Sequence, residues 1–423
     1  GVNDKGLDLG GGNRLQASGV LMTGAGEADL GRGFQARADI NYLSSFLFRQ
    51  EFTESFNEAV FSEVHSTAYV TRNWSNYGLN LLYRQGENFH STREGDVISI
   101  RKLPSAEFTI RDRQVSGRVL PVWVSLESSF GFLRRNQPLF QTRKFVERVD
   151  VAPRVMTVLR WKDFSLLPAA TLRGTHYDSS RRDGQISGDG VFRGAGEVSL
   201  DLVLPPLART FSGPGWLGER VKHVIETSAG FRHRSGVGDF HRFVLFDTTE
   251  LLSNTTEADL TVVNRLYAKR HGVVSEVLSW QLWQRYFFDP EFGGAVVEGR
   301  RNVLLSSIEM TGYAFLDRPR SYSPIVSAVR IGAETGVGLV WRTDYDPLRH
   351  RFVNSGLTAD GRFGKYFVSL GHNHVRTDPV LTAPANQFRG LLAIGDPNKR
   401  GWNAAFSAIY DFRSDTMQFA TTQ

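Results

Sequence analysis

The stretch FQARADINY, Phe34 to Tyr42, decides the fold class. Phe34, Ala36, Ala38, Ile40 and Tyr42 fall on one side of a period-two pattern. Gln35, Arg37, Asp39 and Asn41 fall on the other. Successive side chains of a strand point to opposite faces, so this is a strand with one apolar and one polar face. The same alternation recurs along the chain. Tyr77, Leu79, Leu81 and Tyr83 oppose Gly78, Asn80, Leu82 and Arg84. Val198, Leu200, Leu202 and Leu204 oppose Glu197, Ser199, Asp201 and Val203. Val337, Leu339, Trp341, Thr343 and Tyr345 oppose Gly338, Val340, Arg342 and Asp344. Ala404, Phe406, Ala408, Tyr410 and Phe412 oppose Ala405, Ser407, Ile409 and Asp411.

No long window carries an apolar stripe at i, i+3, i+4, i+7 with caps. GWLGERVKH, Gly215–His223, has room for a turn or two of helix at most. The chain therefore reads as all-β, with roughly 18–20 strand candidates of about 9–15 residues, the length a tilted membrane strand needs. No fixed motif repeats at the spacing of propellers or solenoids. No linker or low-complexity segment divides residues 1–423, so one domain is expected. The connections are of two kinds. Trp74–Tyr77 and Gly361–Lys365 are short, whereas Ser179–Gly190, Arg232–His241 and Thr377–Gln387 are long and polar. That alternation suits hairpins whose two ends face different environments.

The 423 residues include 30 Phe, 42 Gly and no Cys, with a formal charge of +6. A chain this apolar and aromatic is not disordered. The lack of Cys excludes disulfides, thiolate metal sites and Cys nucleophiles together. No run of eighteen apolar residues occurs that could form a membrane helix, and with no basic-then-apolar leader after Gly1 a processed chain or a piece of a longer one is expected.

A sandwich and a membrane barrel both alternate, and three features favour the barrel. The runs exceed the usual soluble strand of about 5–6 residues. Aromatics gather at strand ends: Tyr42 with Phe46 and Phe48, Trp74 with Tyr77, Tyr286 to Phe288, and Tyr410 with Phe412. Outer-membrane barrels carry aromatic girdles at such positions. Finally, rows such as Gln35-Arg37-Asp39-Asn41 suit a wet lumen. Pro121, Pro153 and Pro168 count the other way, since each removes a ladder hydrogen bond unless it marks a strand start or a bulge.

Motifs for catalysis are missing. There is no G-x-S-x-G elbow and no H-E-x-x-H. The glycines at Gly10–Gly12, Gly24 and Gly26, and Gly194 and Gly196 open no helix after a buried strand, so they cradle no phosphate. His372 and His374 in SLGHNHVRT share a strand face but have no third ligand in view; a polar lumen or a loop is their expected place. No enzyme, metal or cofactor is expected. Short basic pairs such as Arg134-Arg135 and Arg181-Arg182 lack interleaved aromatics, so no nucleic-acid partner is expected.

Several stretches carry a resemblance. LSSFLFRQEFTESFNEAV runs from Leu43 to Val60, KLPSAEF from Lys102 to Phe108, and HVIE from His223 to Glu226. FDTTELLSN (Phe246–Asn254) is followed by NRLYAKR (Asn264–Arg270). SWQLWQRYFFDP (Ser279–Pro290) and WRTDYDPLRHRFVNSG (Trp341–Gly356) come later. In this order and spacing, over roughly residues 34–423, the chain resembles the outer-membrane LPS-assembly protein family LptD (the organic-solvent-tolerance family), in its acidobacterial-type members. The resemblance implies a large antiparallel transmembrane β-barrel in the cell outer membrane. It implies lipopolysaccharide as cargo, an LptE-like plug lipoprotein, a periplasmic LptA-like bridge and contact with outer-membrane lipid. Sugar would pass through the lumen while lipid tails leave by a seam between the first and last strands. The chain departs from the family in being short, in lacking a preceding jellyroll, in lacking Cys, and in ending at Gln423 partway along a strand. A fragment, incomplete at its C-terminus, is expected.

On this reading the polar face solvates a sugar-phosphate chain. Arg37, Arg84, Arg173 and Arg342 are the expected cations, because guanidinium forks onto phosphate. Asp39, Asp201 and Asp344 balance them, and Gln35, Asn41 and Asn80 offer neutral hydrogen bonds. The opposite face (Phe34, Ile40, Leu200, Leu202, Leu339, Phe406) should meet lipid. A passive porin or siderophore-type transporter barrel, and a soluble carbohydrate-binding β-protein, are the competing readings.

Overall fold

A computed structural model describes residues 7–8, 14–15, 19–45, 63–89, 96–117, 120–138, 140–142, 144–182, 185–315, 317–332, 336–377, 384–395 and 402–422. The Phe46–Phe48 aromatics, most of the Leu43–Val60 motif and Gly10–Gly12 lie outside them. Two compact units make up the chain: residues 1–157, 169–197 and 236–252 in the first, and 158–168, 198–235 and 253–423 in the second.

Period-two sequence gives antiparallel ladders throughout. Strands of six residues or more are, in order, β1 (Leu21–Gly31), β2 (Phe34–Leu43), β3 (Glu63–Trp74), β4 (Tyr77–Phe89), β5 (Val97–Ser116), β6 (Val122–Gln137), β7 (Val146–Thr157), β8 (Phe164–Tyr177), β9 (Val191–Val203), β10 (Leu207–Ser212), β11 (Arg220–Ser235), β12 (Thr255–Arg270) and β13 (Val273–Phe287). They continue with β14 (Ile325–Gly332), β15 (Val337–Asp346), β16 (Arg351–Phe363), β17 (Tyr366–Val375), β18 (Ala385–Ile394), β19 (Ala404–Asp411) and β20 (Thr416–Thr422). Among the described residues there are twenty such strands, and several are longer than expected, up to the 20 residues of β5. The fold is all-β, antiparallel and of the barrel type. Among the described residues helix is limited to α1 (Leu305–Met310) and two single 3₁₀ turns, Phe240–Arg242 and Thr248–Leu251. Gly215–Leu217 form a turn, not a helix.

Within the first unit, β1 to β8 pair each with the next in sequence. Within the second, β10 to β20 do the same. Such meanders need only tight turns at one end. The β12–β13 turn is His271-Gly272, both at positive φ, the backbone a two-residue hairpin turn requires.

The prolines sit where the ladder tolerates them. Pro121 immediately precedes β6. Pro153 lies opposite Leu126 in β6, while partners toward β8 are interrupted at Ala152 and Pro153. Pro104 falls in the register shift between Lys102 and Ser105. Pro168 lies inside β8.

Register makes the two faces explicit. In the first unit Gln35 opposes Thr71, which opposes Asn80, and Asp39 opposes Thr67, which opposes Arg84. Directly opposed residues share a face, so these form one polar surface. In the second unit Trp280 opposes Val329, Trp341, Leu357, His372, Phe388 and Tyr410 follow strand by strand, and these form an apolar surface. Leu260, Leu357, Leu370, Leu392 and Phe406 are exposed on it. A soluble sheet would bury such a band; its exposure asks for an apolar surrounding.

Candidate functional site

Aromatic side chains bound the apolar face at the ends of the strands. At the short-turn end of the first unit, Trp74 stacks on Tyr77 and Tyr77 on Phe108. The Arg72 guanidinium lies 4.9 Å from the Phe34 ring centre and 5.4 Å from that of Trp74. At the same kind of end in the second unit, Lys162 sits over Trp161 and Lys365 over Tyr366. The long-connection end of the second unit carries Phe231, Phe288, Tyr286 and Tyr322 in edge contact, then Tyr345 with Phe352, then Tyr410 with Phe412. The register shift at Asp344/Tyr345 is what brings Phe352 opposite Tyr345. Phe352 and Phe363 are eleven steps apart on β16. At about 3.3 Å per step that is roughly 36 Å along the strand, or roughly 26 Å along the normal for a tilt of about 45°. The apolar band of an outer-membrane barrel is about 25 Å tall.

The polar face is built up differently in the two units. In the first, the connection after β11 lies against the wall rather than away from it. Its DTTE sequence (Asp247–Glu250) forms a capping box: Asp247 accepts from the Thr249 N–H, and Glu250 accepts from the Asp247 N–H. Both carboxylates then reach the wall. Arg148 of β7 donates to Asp247 through Nη2 (2.9 Å) and to Glu250 through Nη1 (2.7 Å). Tyr177 of β8 donates its hydroxyl to Glu250 at 2.7 Å. Lys102 of β5 pairs with Asp247, and Arg193 of β9 donates to the Thr249 carbonyl. The Glu250 side chain is wholly buried and that of Arg148 is 7 % exposed. Burial would raise the Asp247 carboxyl, but hydrogen bonds from Arg148 and the charges of Arg148 and Lys102 outweigh it and hold it well below the usual carboxylate range. Phe243, Val244 and Phe246 complete the attachment by packing with Leu133, Val146, Tyr177 and Val191.

In the second unit the connection after β13 makes its own small core of Phe287, Phe292, Val296, Leu304, Ala314 and Phe315. It is tied to the wall by Arg342, which donates to the Met310 carbonyl, and by Arg285, which donates to that of Ser306. Glu257, nearly fully buried, pairs with Arg232 and Arg285. Arg320 pairs with the buried Asp346.

The expected site residues are in three different states. Arg173 is committed: it grips Asp150 with Nε at 2.9 Å and Nη2 at 2.7 Å, while Thr175 donates to the same carboxylate. Arg342 and Asp344 are also engaged. Arg342 lies over the Trp283 ring, and the buried Asp344 accepts from Asn354 at 2.8 Å. Asn41 donates to Asp39 and to the His65 carbonyl, and Asn80 accepts from Thr71. Gln35, Arg37, Arg84 and Asp201 make no side-chain bond among the described residues. Gln35 and Arg37 line a cavity of about 470 Å³ with Glu27, Asp29 and Tyr69. Arg84 lines another of about 370 Å³ with His65, Lys102, Arg135, Phe246 and Asp247.

The resemblance motifs take on structural roles here. KLPSAEF supplies Lys102, FDTTELLSN supplies Asp247 and Glu250, SWQLWQRYFFDP supplies Arg285 and Phe287, and WRTDYDPLRHRF supplies Arg342 and Asp346. They are the fasteners of the two inserted connections. Sequence reading did not assign Arg148, Tyr177, Asp247 or Glu250 to a site; the capping box in DTTE was the available signal.

A family model described as LPS transport system D, LptD, matches residues 19–260, more than half of the chain. The chain belongs to the LptD family. A search of curated proteins gives no match. LptD is a transport and assembly family of the outer membrane rather than a family of enzymes, and membership gives this chain a role in LPS transport there. The matched region holds β1 to β11 and the whole Arg148–Glu250 attachment; Arg342 and Asp344 lie beyond it.

One expectation is corrected. His372 and His374 occupy neither the polar face nor a loop. They oppose Leu357 and Ser355 in β16 and Phe388 and Asn386 in β18, on the apolar face. The phase of Tyr366, Val368, Leu370, His372 and His374 within β17 already carries that information. Among the described residues no three His, Asp or Glu side chains are placed to hold a metal ion, and no helix is long and apolar enough to cross a membrane.

Proposed function

We propose that residues 1–423 form one barrel domain whose polar face lines the passage for the sugar-phosphate part of lipopolysaccharide. The acyl chains stay on the lipid side and leave through a lateral seam between the first and last strands. An LptE-like lipoprotein fills the remaining lumen, and an LptA-like bridge delivers cargo from the periplasm. The observation that carries this reading is the contrast between the uncommitted polar side chains, Gln35, Arg37, Arg84 and Asp201, and an exposed apolar band bounded by aromatics about one membrane apart. Arginine can fork onto phosphate and amides can serve sugar hydroxyls, while committed pairs such as Arg173–Asp150 keep the wall charged and closed. By the rule that periplasmic turns are short and surface loops long, the two inserted connections come from the cell-surface end.

The test is fractionation in a Gram-negative host with heat-modifiable gel migration, followed by depletion and an assay of surface lipopolysaccharide. Outer-membrane recovery, a heat-dependent shift and loss of surface lipopolysaccharide on depletion are expected. Steady ion conduction in a planar bilayer with normal surface lipopolysaccharide would make it a porin instead. Connections folded onto the polar face argue against a wide, steady conductor, and the exposed apolar band argues against a soluble carbohydrate binder.

A further inference from the structure

We propose that the apolar face carries a site for the phosphate of a membrane lipid, built by His372, His374, Arg376 and Asn386 at the end of β17 and β18. The inference rests on the reading that this face meets lipid. Its origin is a break in the apolar pattern. Ser327, Thr343, Ser355, His374 and Asn386 oppose one another strand by strand, which sets a row of polar groups in register across five strands. Two residues nearer the short turns the row becomes Val329, Trp341, Leu357, His372 and Phe388. Beyond it toward the long connections stand Tyr345, Phe352 and Phe412. At its β17–β18 end the polar row adjoins the aromatic Phe412, which sets His372 and His374 at the depth of lipid headgroups rather than of acyl chains.

The bonding within the cluster points it at an acceptor. Arg376 donates its Nε–H to the Nε2 of His374 at 3.1 Å. Its two terminal nitrogens make no bond among the described residues, so the forked end of the guanidinium is left for a ligand. His372 Nε2 lies 2.9 Å from Asn386 Oδ1, and its ring contacts those of His374 and Phe412. Asp411 is engaged on the opposite face by Gln387, and Asp415 at the edge accepts the Tyr410 hydroxyl. A guanidinium beside two imidazoles at a lipid surface is the chemistry of phosphate capture by charge-assisted hydrogen bonds.

The purified full chain in nanodiscs of an uncharged lipid, titrated with short-chain phosphatidic acid and followed by native mass spectrometry, tests the site. The matched diacylglycerol and inorganic phosphate serve as controls. Phosphatidic acid adducts should exceed diacylglycerol adducts, and Arg376→Gln and His374→Leu should each weaken them by about tenfold, the worth of one charge-assisted hydrogen bond. Unchanged adducts in both variants would overturn the proposal. Equal binding of inorganic phosphate would overturn the lipid as its source. Heat-modifiable migration of each protein reports separately whether the barrel reading holds, since its loss in the wild type would remove the lipid-facing surface itself.

Discussion

Tyr177 and Glu250, 73 residues apart in sequence, are joined by a hydrogen bond of 2.7 Å inside the first unit. The bond attaches a surface connection to the wall strand β8, and the same carboxylate takes Arg148 and the backbone N–H groups of Phe246 and Asp247. Glu250→Ala removes all of these and leaves Arg148 with Asp247 alone. A loss of about 3–5 kcal/mol in the attachment of residues 240–252 is expected, as for one broken partner of a buried ion pair. Tyr177→Phe should cost less, about 1–3 kcal/mol. Hydrogen exchange at amides 243–251 would rise in both variants while the ladders of β3 to β6 stay protected. Equal protection in wild type and Glu250→Ala would refute the attachment.

Acid should loosen the same connection. The Asp247 carboxyl is held below its unfolded value of about 3.9 by Arg148 and Lys102, against the opposing effect of burial. A depressed folded value means that the stabilisation is fully present above the unfolded value and is lost as pH falls through the interval below about 4. Protection factors at amides 243–251, corrected for intrinsic exchange, should be flat from pH 7 to about pH 5 and drop below about pH 4. Asp247→Asn should abolish that acid-dependent drop.

Two arginines on one polar face should behave in opposite ways. Arg173→Gln strands the buried Asp150, whose side chain is only 4 % exposed, and should cost about 3–5 kcal/mol. Arg84→Gln removes a side chain with no bond among the described residues and should leave stability within about 0.5 kcal/mol. If Arg84 serves the cargo, its variant lowers delivery of lipopolysaccharide to the surface at normal barrel abundance. Normal delivery would take Arg84 out of the path.

Leu202→Arg tests the facing of β9. At mid-membrane the substitution should cost about 2–4 kcal/mol, read as a lowered urea midpoint in lipid vesicles. An unchanged midpoint would mean that Leu202 does not meet hydrocarbon.

Periodicity made the two faces legible because it is a local property: Phe34 to Tyr42 displays both within nine residues. The lumenal candidates follow from parity, and in the first unit register sets Gln35, Asp39, Asn80 and Arg84 on one polar surface. Parity does not say whether a charge is already spent, however. Arg173 and Arg84 look alike in sequence, and only the long-range neighbour Asp150, 23 residues before Arg173, separates them. The inward course of residues 236–252 was equally hidden, since Arg148 and Tyr177 meet Asp247 and Glu250 only after folding. The histidines were misplaced for a different reason. Their polarity argues for water, whereas their phase, with His372 two residues on from Leu370 in one strand, argues for the apolar face.

The alternation described for β2, β16 and β17 also sets which changes of length this chain can survive. Removing one residue from the middle of a strand would exchange every later side chain of that strand between water and hydrocarbon, turning Arg342-like positions outward and Leu370-like ones inward. Removing two would keep the assignment and only shorten the span, by about 6–7 Å of strand, an error that tilt and bilayer thinning can absorb. Insertions and deletions within strands should therefore be tolerated in even steps and rejected in odd ones, except beside a bulge such as that at Tyr345, where a single extra residue is already accommodated.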